Sequence, residues 1–182
     1  MDALPIYNME RDGIALGPLD RRFLDDYLRW VNDFETALTY ADIALPVPRK
    51  NREAWVERSA EGTDRSIVRF TIFERTTGRP LGLTNLHAID VHHRTAEFGL
   101  LIGDREQRGR GHGTTVTRMM LDYAFDRLEL HNVMLRVYAN NEAGIRAYEK
   151  AGFRELGRRT GSRLLFGQRH DEIFMECIRD QR

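Results

Sequence analysis

Residues 108–114 constrain the fold of this chain more than any other stretch. The sequence there is Arg-Gly-Arg-Gly-His-Gly-Thr, with glycine at every second position. An apolar run, residues 98–102, comes just before it, and apolar residues recur after it at helical spacing from Val116 to Leu128. Glycine adopts positive φ and lets a ligand approach the backbone. The pattern therefore predicts a glycine-rich connection from a strand to a helix.

Such a connection has the properties of an anion-binding site. The first N–H groups of a helix have no partner within the helix, and the helix dipole makes that end positive. We therefore expect the loop to bind an anion such as a pyrophosphate, with the backbone of position 112 mattering more than its ring. The alternative, from the glycines alone, is a turn that binds no ligand. The expected contributors are Arg108, Gly109, Arg110, Gly111, His112, Gly113 and Thr114.

Two common nucleotide-binding motifs do not fit this loop. A P-loop ends in Gly-Lys-Ser/Thr, whereas here Gly113 is followed by Thr114 and Thr115. The dinucleotide motif G-x-G-x-x-G fails in both registers, because its last position would be Thr114 or Val116. The sequence therefore disfavours a nucleotide-binding protein.

Two motifs resemble those of a known family. Residues 108–113 resemble the R/Q-x-x-G-x-G/A motif of the GNAT N-acetyltransferases, which bind acetyl-CoA. Residues 141–153, with the sequence NEAGIRAYEKAGF, resemble the N-x-x-A-x-x-x-Y-E-K-x-G-F segment of that family, except that Gly144 replaces its usual alanine. The resemblance covers about residues 14–178. Within the superfamily the chain looks most like the branch of the ribosomal-protein N-terminal acetyltransferases and the spermidine acetyltransferases.

The resemblance implies a single N-acetyltransferase domain over residues 1–182. Its fold would be the GNAT fold, an α/β (α+β) architecture in which a mixed, twisted sheet of about seven strands has helices on both faces. Hydrophobic patterning gives a compatible order, βααβββαβαββ. Strands are predicted at about residues 14–17, 66–73, 80–87, 96–103, 133–139, 153–159 and 171–178, and helices at 19–32, 51–60 and 141–151 besides the one after the glycines. Asn51 is expected to cap the second helix, and residues 160–170 to join the last two strands.

Composition excludes several functional classes. With 182 residues, 41% hydrophobic and 31% charged, the chain can form one soluble domain. Its 28 basic and 28 acidic residues cancel, so we expect no nucleic-acid partner. No apolar run approaches a membrane span, residues 1–13 lack a signal-peptide core, and one cysteine, Cys177, cannot form an internal disulfide. We expect a cytoplasmic protein without a membrane partner or a metal, and a homo-oligomer, most simply a dimer.

Tyr148 and Glu97 are the candidate catalytic residues. From spacing alone, a core tyrosine is the simpler interpretation of Tyr148. The resemblance implies instead a tyrosine near the CoA sulfur that protonates the leaving thiolate, since a phenol of pKa near 10 can donate to a thiolate whose acid has a pKa of about 8.5. Glu97 is either a solvated carboxylate or a group that accepts the amine proton or binds a cationic acceptor. His92 and His93 have the chemistry of a base, but a turn is where solvated histidines are expected.

The activity that the resemblance implies is acetyl transfer from acetyl-CoA to a primary amine by direct attack. A backbone N–H of strand 96–103 would polarise the carbonyl. Asn141 is expected both to cap its helix and to hold the CoA arm. The other residues expected along the cofactor are Leu101, Ile102, Gly103 and Gly144.

Two questions stay open at the level of sequence. One is whether the chain is instead a non-catalytic acyl-CoA sensor, which would fit better if position 148 were apolar. The other is the acceptor, which could be a small-molecule amine, a polyamine or a protein N-terminus. By resemblance, its specificity would depend on residues 33–51 and on the terminal hairpin, where acidic and basic residues are mixed.

Overall fold

The computed structural model describes residues 5–38 and 45–181, and one sheet of eight strands organises them. Its strands are β1 (Met9–Arg11), β2 (Ile14–Gly17), β3 (Val68–Glu74), β4 (Pro80–Asp90), β5 (Thr95–Ile102), β6 (Asn132–Tyr138), β7 (Arg154–Leu165) and β8 (Gln168–Ile178). Their order in the sheet is β1-β2-β3-β4-β5-β6-β8-β7, and every neighbouring pair is antiparallel except β5 and β6. The predicted mixed sheet is confirmed. The additional strand is β1, whose three residues are too few to show a pattern.

Helices pack on both faces of this sheet, as predicted. They are α1 (Leu24–Asn32), α2 (Phe34–Ala37), α3 (Arg49–Ala60), α4 (His112–Asp122), which continues as a π-helical turn (Tyr123–Arg127), and α5 (Glu142–Ala151). Alternate residues of β5 point to opposite faces. Accordingly Phe98 belongs to the main core under α4 and α5, whereas Leu101 packs with α1 and α3. None of the described helices is both long and apolar enough to cross a bilayer.

The predicted helix boundaries are wrong at two places near the N-terminus. The first helix was expected from residue 19, but a 3₁₀ turn (Arg21–Phe23) precedes α1. The second begins at Arg49, and Asn51 is not its cap: the N-cap is Pro48, and the N–H of Asn51 already donates to the Pro48 carbonyl at 3.0 Å. The ring of Pro48 fixes the extended entry to the helix, which explains the earlier start.

The segment 160–170, expected to be a connection, is mostly strand. β7 and β8 extend until only Phe166 and Gly167 separate them, both with positive φ, as in a two-residue hairpin turn. The pairing register shifts around Gly161, whose φ is 58°. Most of these residues are polar and many are exposed, so the segment shows no hydrophobic alternation that would have revealed the strands.

A gap opens in the middle of the sheet between β5 and β6. The two strands pair only from Thr95 with Asn132 to Glu97 with Met134. Beyond these residues β5 continues to pair with β4, and β6 continues to pair with β8. The parallel strands therefore diverge, leaving the facing backbone edge of each without the other as a partner.

Candidate active site

A cleft of about 440 Å³ lies where β5 and β6 diverge. Side chains from α3, α5 and five strands line it, so it joins parts of the chain that are far apart in sequence. Apolar surface comes from residues such as Leu100 and Leu101. The ionisable residues in its lining are Arg52, Arg69, His87, Glu97, Arg136, Tyr138, Tyr148 and Glu172.

Tyr148 lies on α5 and reaches the cleft from the side of the main core. The residue is 8% exposed, and its ring packs edge-on against Phe98 and Phe153 with centroids 6.1 Å apart in both pairs. Among the described residues, its hydroxyl has no hydrogen-bond partner. Burial raises the pKa of Tyr148 to about 12. The phenol is therefore neutral at physiological pH and able to donate a proton into the cleft.

Glu97 lies on β5 directly opposite His87 of β4, at the start of the gap. One carboxylate oxygen is 3.5 Å from Nε2 of His87 and 3.7 Å from Nε of Arg136. Nδ1 of His87 is 2.9 Å from Oδ1 of Asn85. The amide oxygen of Asn85 can accept from Nδ1–H, so a proton taken up at Nε2 would face the Glu97 carboxylate. The two side chains together can accept a proton within the cleft.

Several polar residues of this cleft were not predicted from the sequence, among them His87, Arg136 and Glu172. His87 could have been found, because pairing the two predicted strands in antiparallel register places it opposite Glu97. Arg136 alternates with the apolar residues of β6 and so points to the cleft face. Its guanidinium lies 3.4 Å from the buried carboxylate of Glu172 on β8, a neighbour that local patterning could not reveal.

The glycine loop presents an open backbone surface at the start of α4. Gly109 and Gly111 have φ of 75° and 86°, and Gly111 is the N-cap residue of the helix. A Cβ atom placed on either glycine would have no heavy atom within 4 Å. On Gly113 a Cβ would lie 3.6 Å from Leu100 and 3.7 Å from Ala147, which is ordinary contact. Gly113 and Thr114 are partly exposed in the first helical turn.

The larger side chains of the loop point back towards the protein. Arg108 donates from Nε to the carbonyl of Ile102 at 3.0 Å and from Nη2 to the hydroxyl of Thr36 at 2.8 Å, and burial lowers its pKa. Arg110 donates to a backbone carbonyl at 3.1 Å. The ring of His112 lies 3.3 Å from the amide oxygen of Gln107, and burial lowers its pKa as well. The loop therefore offers a ligand its backbone rather than these three side chains.

The remaining residues predicted along the cofactor occupy different surroundings. Leu101 lines the cleft, whereas Ile102 packs against the main core. The N–H of Gly103 donates to the carbonyl of Leu81 at 2.9 Å, and a Cβ on Gly103 would lie 2.2 Å from the Trp30 ring. Gly103 is therefore required for packing against α1.

Asn141 caps α5, as predicted, and also lines the cleft. Its side-chain oxygen accepts from the N–H of Gly144 at 3.0 Å. A Cβ on Gly144 would lie 2.7 Å from the Asn141 amide nitrogen. Glycine at this position thus permits the amide to lie close over the helix start, where alanine would displace it.

Other residues considered from the sequence lie away from the cleft. His92 and His93 are in the turn between β4 and β5, exposed to solvent. Cys177 is buried on β8. Within the described residues, no group of three or more His, Cys, Asp or Glu could hold a metal ion. Residues 39–44, part of the segment expected to cover the acceptor pocket, lie outside the described residues.

Comparison with known proteins identifies the family. Residues 14–154 match the acetyltransferase (GNAT) domain. The spermidine N(1)-acetyltransferase of Escherichia coli is 31% identical over 169 residues, which are 91% of this chain and 85% of that protein. A Bacillus subtilis protein named as a ribosomal N-acetyltransferase, YdaF, is 31% identical over 102 residues, 56% of this chain and 55% of its own length.

A solved structure agrees over nearly the whole chain. The crystal structure of spermidine N-acetyltransferase from Vibrio cholerae in complex with CoA and spermine has a TM-score of 0.83 to this chain at 25% identity, covering 93% of this chain and 97% of that one. The predicted family and fold are thereby confirmed. The chain belongs to the GNAT acetyltransferase family and is an acetyl-CoA-dependent enzyme that transfers an acetyl group to an amine.

Proposed function

We propose that the cleft between β5 and β6 is the active site and that the acceptor amine attacks acetyl-CoA directly, in a ternary complex. One observation supports this most strongly. A proton donor, Tyr148, and a proton-accepting pair, His87 and Glu97, line the same cleft from opposite faces of the sheet. Among the described residues that line it there is no cysteine or serine to form an acetyl-enzyme, which favours direct attack.

Acetyl-CoA fits the open surface at the glycine loop. The backbone at Gly109 and Gly111 is open, since a Cβ added to either would have no heavy atom within 4 Å, and N–H groups of the first turn of α4 could donate to a pyrophosphate placed there. Arg108 would act indirectly, by holding the loop against α2. Asn141, Gly144 and Leu101 would lie along the arm of CoA that leads into the gap.

Proton balance defines the roles of the two catalytic groups. An alkylammonium has a pKa near 10, so it must lose a proton before it can attack. The His87–Glu97 pair would take that proton, directly or through a water molecule. Tyr148, kept neutral by its raised pKa of about 12, would give its proton to the leaving sulfur as the tetrahedral intermediate collapses. Because the thiol is the stronger acid, the tyrosinate left behind would readily recover a proton. N–H groups of β5 that lack a β6 partner would polarise the thioester carbonyl.

Acetyl-CoA turnover with a panel of primary amines tests this function. Free thiol release should depend on the amine, and mass spectrometry should show one acetyl group on the product. The panel should include spermidine, after the E. coli relative, and a peptide with a free N-terminus, after YdaF. Thiol release that is independent of every amine, or an acetylated protein trapped before the amine is added, would contradict direct attack on the thioester.

Glu97→Gln tests the proton-accepting role within the same assay. The amide keeps the shape of the side chain and removes its charge, so kcat/KM for the amine should fall while the affinity for acetyl-CoA stays nearly unchanged. Glu155→Gln is the matched control, because Glu155 is an exposed residue of β7 paired with Arg158. Full activity of Glu97→Gln, or loss of acetyl-CoA binding instead, would exclude Glu97 from the acceptor site.

We also propose that the chain is a single-domain cytoplasmic enzyme that forms a homodimer. The one cysteine is buried, so a reducing compartment suits the chain. Sedimentation velocity over a range of concentrations tests the dimer, and a monomer at every concentration would contradict it.

A further inference from the structure

The side-chain amide of Asn85 lies beside the proposed proton acceptors of the cleft. Asn85 is on β4, where it pairs with Gly99 of β5, and His87, two residues later, pairs with Glu97. Residues two apart on a strand point to the same face of a sheet, and all four of these residues line the cleft. His87 therefore has one polar neighbour on its own strand and another across the sheet.

A glycine in β5 permits this position of the amide. A Cβ added to Gly99 would lie 2.9 Å from both the amide nitrogen and the amide oxygen of Asn85, closer than Cβ atoms come to other atoms in proteins. The φ of Gly99 is not in the positive range, so the close approach of the amide, and not the backbone conformation, requires glycine here. The amide is thus held against the β5 backbone, next to the His87 ring.

The two ring nitrogens of His87 have partners at different distances. Nδ1 is 2.9 Å from Oδ1 of Asn85, a normal hydrogen-bond length, whereas Nε2 is 3.5 Å from the Glu97 carboxylate, which is longer than such a bond. An amide oxygen accepts hydrogen bonds and does not donate them, so the short contact fits a proton on Nδ1. Nε2 is then the nitrogen that can take up a further proton.

The same two partners suit the imidazole after it has taken up that proton. Both nitrogens of a protonated histidine are donors. Asn85 offers an oxygen to Nδ1–H and Glu97 offers a carboxylate to Nε2–H, so the charged ring has an acceptor on each side. This arrangement stabilises the form that a general base has after it has taken its proton.

We propose that Asn85 is a positioning residue whose Oδ1 keeps a proton on Nδ1 of His87, so that Nε2 takes the proton of the acceptor amine. The inference rests on the acetyl transfer proposed for this cleft and assigns the proton to one atom of the His87–Glu97 pair. One N–H bond of the ammonium breaks, its electron pair stays on the amine nitrogen, and an Nε2–H bond forms. Acetylation of an ammonium releases one proton per turnover, so Nε2 afterwards returns its proton to solvent.

Nitrogen NMR of the imidazole tests the tautomer in the folded protein without any substrate. At a pH where His87 is neutral, its signals should show the proton on Nδ1, and His87→Gln identifies those signals among the six histidines. Asn85→Leu keeps the size of the side chain and removes the acceptor, so the proton should move to Nε2, towards the Glu97 carboxylate. Gly99→Ala should have the same effect, because the added Cβ displaces the amide.

The pH dependence of kcat/KM for one amine separates positioning from packing. Asn85→Asp puts a charged acceptor at Nδ1, which favours the protonated ring. The ascending limb that reports the base should therefore move to higher pH by about one unit or more, with activity retained above it. Asn85→Leu should lower kcat/KM about 10- to 100-fold, because Nε2 then holds a proton and cannot accept another. The other ionisable side chains lining the cleft do not change in these variants: Arg52, Arg69, Glu97, Arg136, Tyr138, Tyr148 and Glu172.

A double variant shows whether Asn85 acts through His87. In the His87→Gln background, adding Asn85→Leu should cost little further activity, whereas two independent effects would multiply. Asn132→Leu is the matched control. It removes an amide of β6 that donates to Glu176 at 2.8 Å, outside the residues that line the cleft. This control should leave the His87 tautomer and the pH profile unchanged, even where it lowers stability.

The failures of the two proposals are distinguishable. Wild-type turnover and an unchanged tautomer in folded Asn85→Leu and Gly99→Ala variants would overturn the role of Asn85 and leave acetyl transfer standing. Equal losses of activity in Asn85→Asp and Asn85→Leu would also overturn it, because an amide that donated to Nδ1 would be replaced by neither side chain. If no amine releases thiol from acetyl-CoA, the proton transfer proposed for the cleft is wrong, and the role of Asn85 in it is wrong as well.

Discussion

Tyr148 combines a buried ring with a hydroxyl that has no hydrogen-bond partner among the described residues. Tyr148→Phe removes the hydroxyl and keeps the packing against Phe98 and Phe153. If the hydroxyl protonates the leaving thiolate, kcat should fall roughly 10²–10⁴-fold. Affinity for acetyl-CoA and thermal stability should change little, because the interaction forms mainly in the transition state. Steady-state kinetics and thermal unfolding of the same preparation measure both effects.

Tyr123→Phe is the matched control for this variant. Tyr123 is partly buried after α4 and packs edge-on against Phe70, outside the cleft. Its phenylalanine variant should keep normal turnover. A stable Tyr148→Phe variant with equally normal turnover would assign Tyr148 to the core and require water or another group as the proton donor.

The pH dependence of Tyr148 follows from its burial. Its pKa is raised from 10.0 to about 12, so the neutral phenol stabilises the fold at pH below 10, and this contribution decreases as pH rises from 10 towards 12. Unfolding measured across that window should depend less steeply on pH in Tyr148→Phe than in the wild type. Since the proton donor stays protonated, the kcat profile should also lack a descending limb between about pH 7 and 10. A descending limb in that range, with normal folding, would exclude Tyr148 as the acid.

At the scale of elements, the connection from β5 to α4 is the part that the sequence predicts best. Gly111→Asn tests whether this connection binds the pyrophosphate of acetyl-CoA. Gly111 has a φ of 86°, a conformation that asparagine tolerates and that would strain a β-branched residue such as valine. With no heavy atom near the added Cβ, the variant should fold, but its side chain would obstruct a pyrophosphate. Affinity for acetyl-CoA, measured by calorimetry, should fall about tenfold or more.

Gly13→Asn is the control for the glycine loop. Gly13 has a φ of 78° in the turn between β1 and β2, and a Cβ there also has no heavy atom within 4 Å. Acetyl-CoA affinity should be unchanged in this variant. Equal affinities of the Gly111 and Gly13 variants would mean that the loop is only a turn.

The features that could be predicted are those that depend on residues close together in the sequence. Positive φ in the glycine loop and the cap at Asn141 depend on one or two residues each, so they can be predicted from the sequence alone. The contacts of the site are different. His87 with Glu97 and Arg136 with Glu172 meet through strand pairing, which joins residues far apart in the chain.

The direction in which the side chains of the glycine loop point was the other feature that could not be predicted from the sequence. A basic residue before a glycine-rich loop looks like a phosphate ligand, yet Arg108 turns inward to Thr36. Thr36 in turn donates to Asp33, whose pKa is lowered to about 2, mainly by Arg105. This network joins α2 to the loop, and it exists only once both elements have packed together.

At the scale of the whole molecule, Arg163 connects the C-terminal hairpin to the N-terminal helices around the cleft. It is 5% exposed, its guanidinium lies 3.9 Å from the centre of the Tyr138 ring, and it donates to the carbonyl of Leu38 at 2.6 Å. Tyr138 lines the cleft, so loss of this contact should alter the acceptor side.

Arg163→Met keeps the apolar stem and removes the guanidinium. The free energy of unfolding should fall by about 1–3 kcal/mol, because a partly buried hydrogen bond to the Leu38 carbonyl and the stacking on Tyr138 are lost. KM for the acceptor should rise several-fold, because Arg163 stacks on Tyr138, which lines the cleft, and KM for acetyl-CoA should change less. Arg169→Met is the control, as Arg169 is exposed on the same hairpin and also donates to a backbone carbonyl, that of Gly161 at 2.9 Å. If denaturant unfolding and both KM values agree between the two variants, the hairpin contributes to the sheet alone and not to the acceptor side of the cleft.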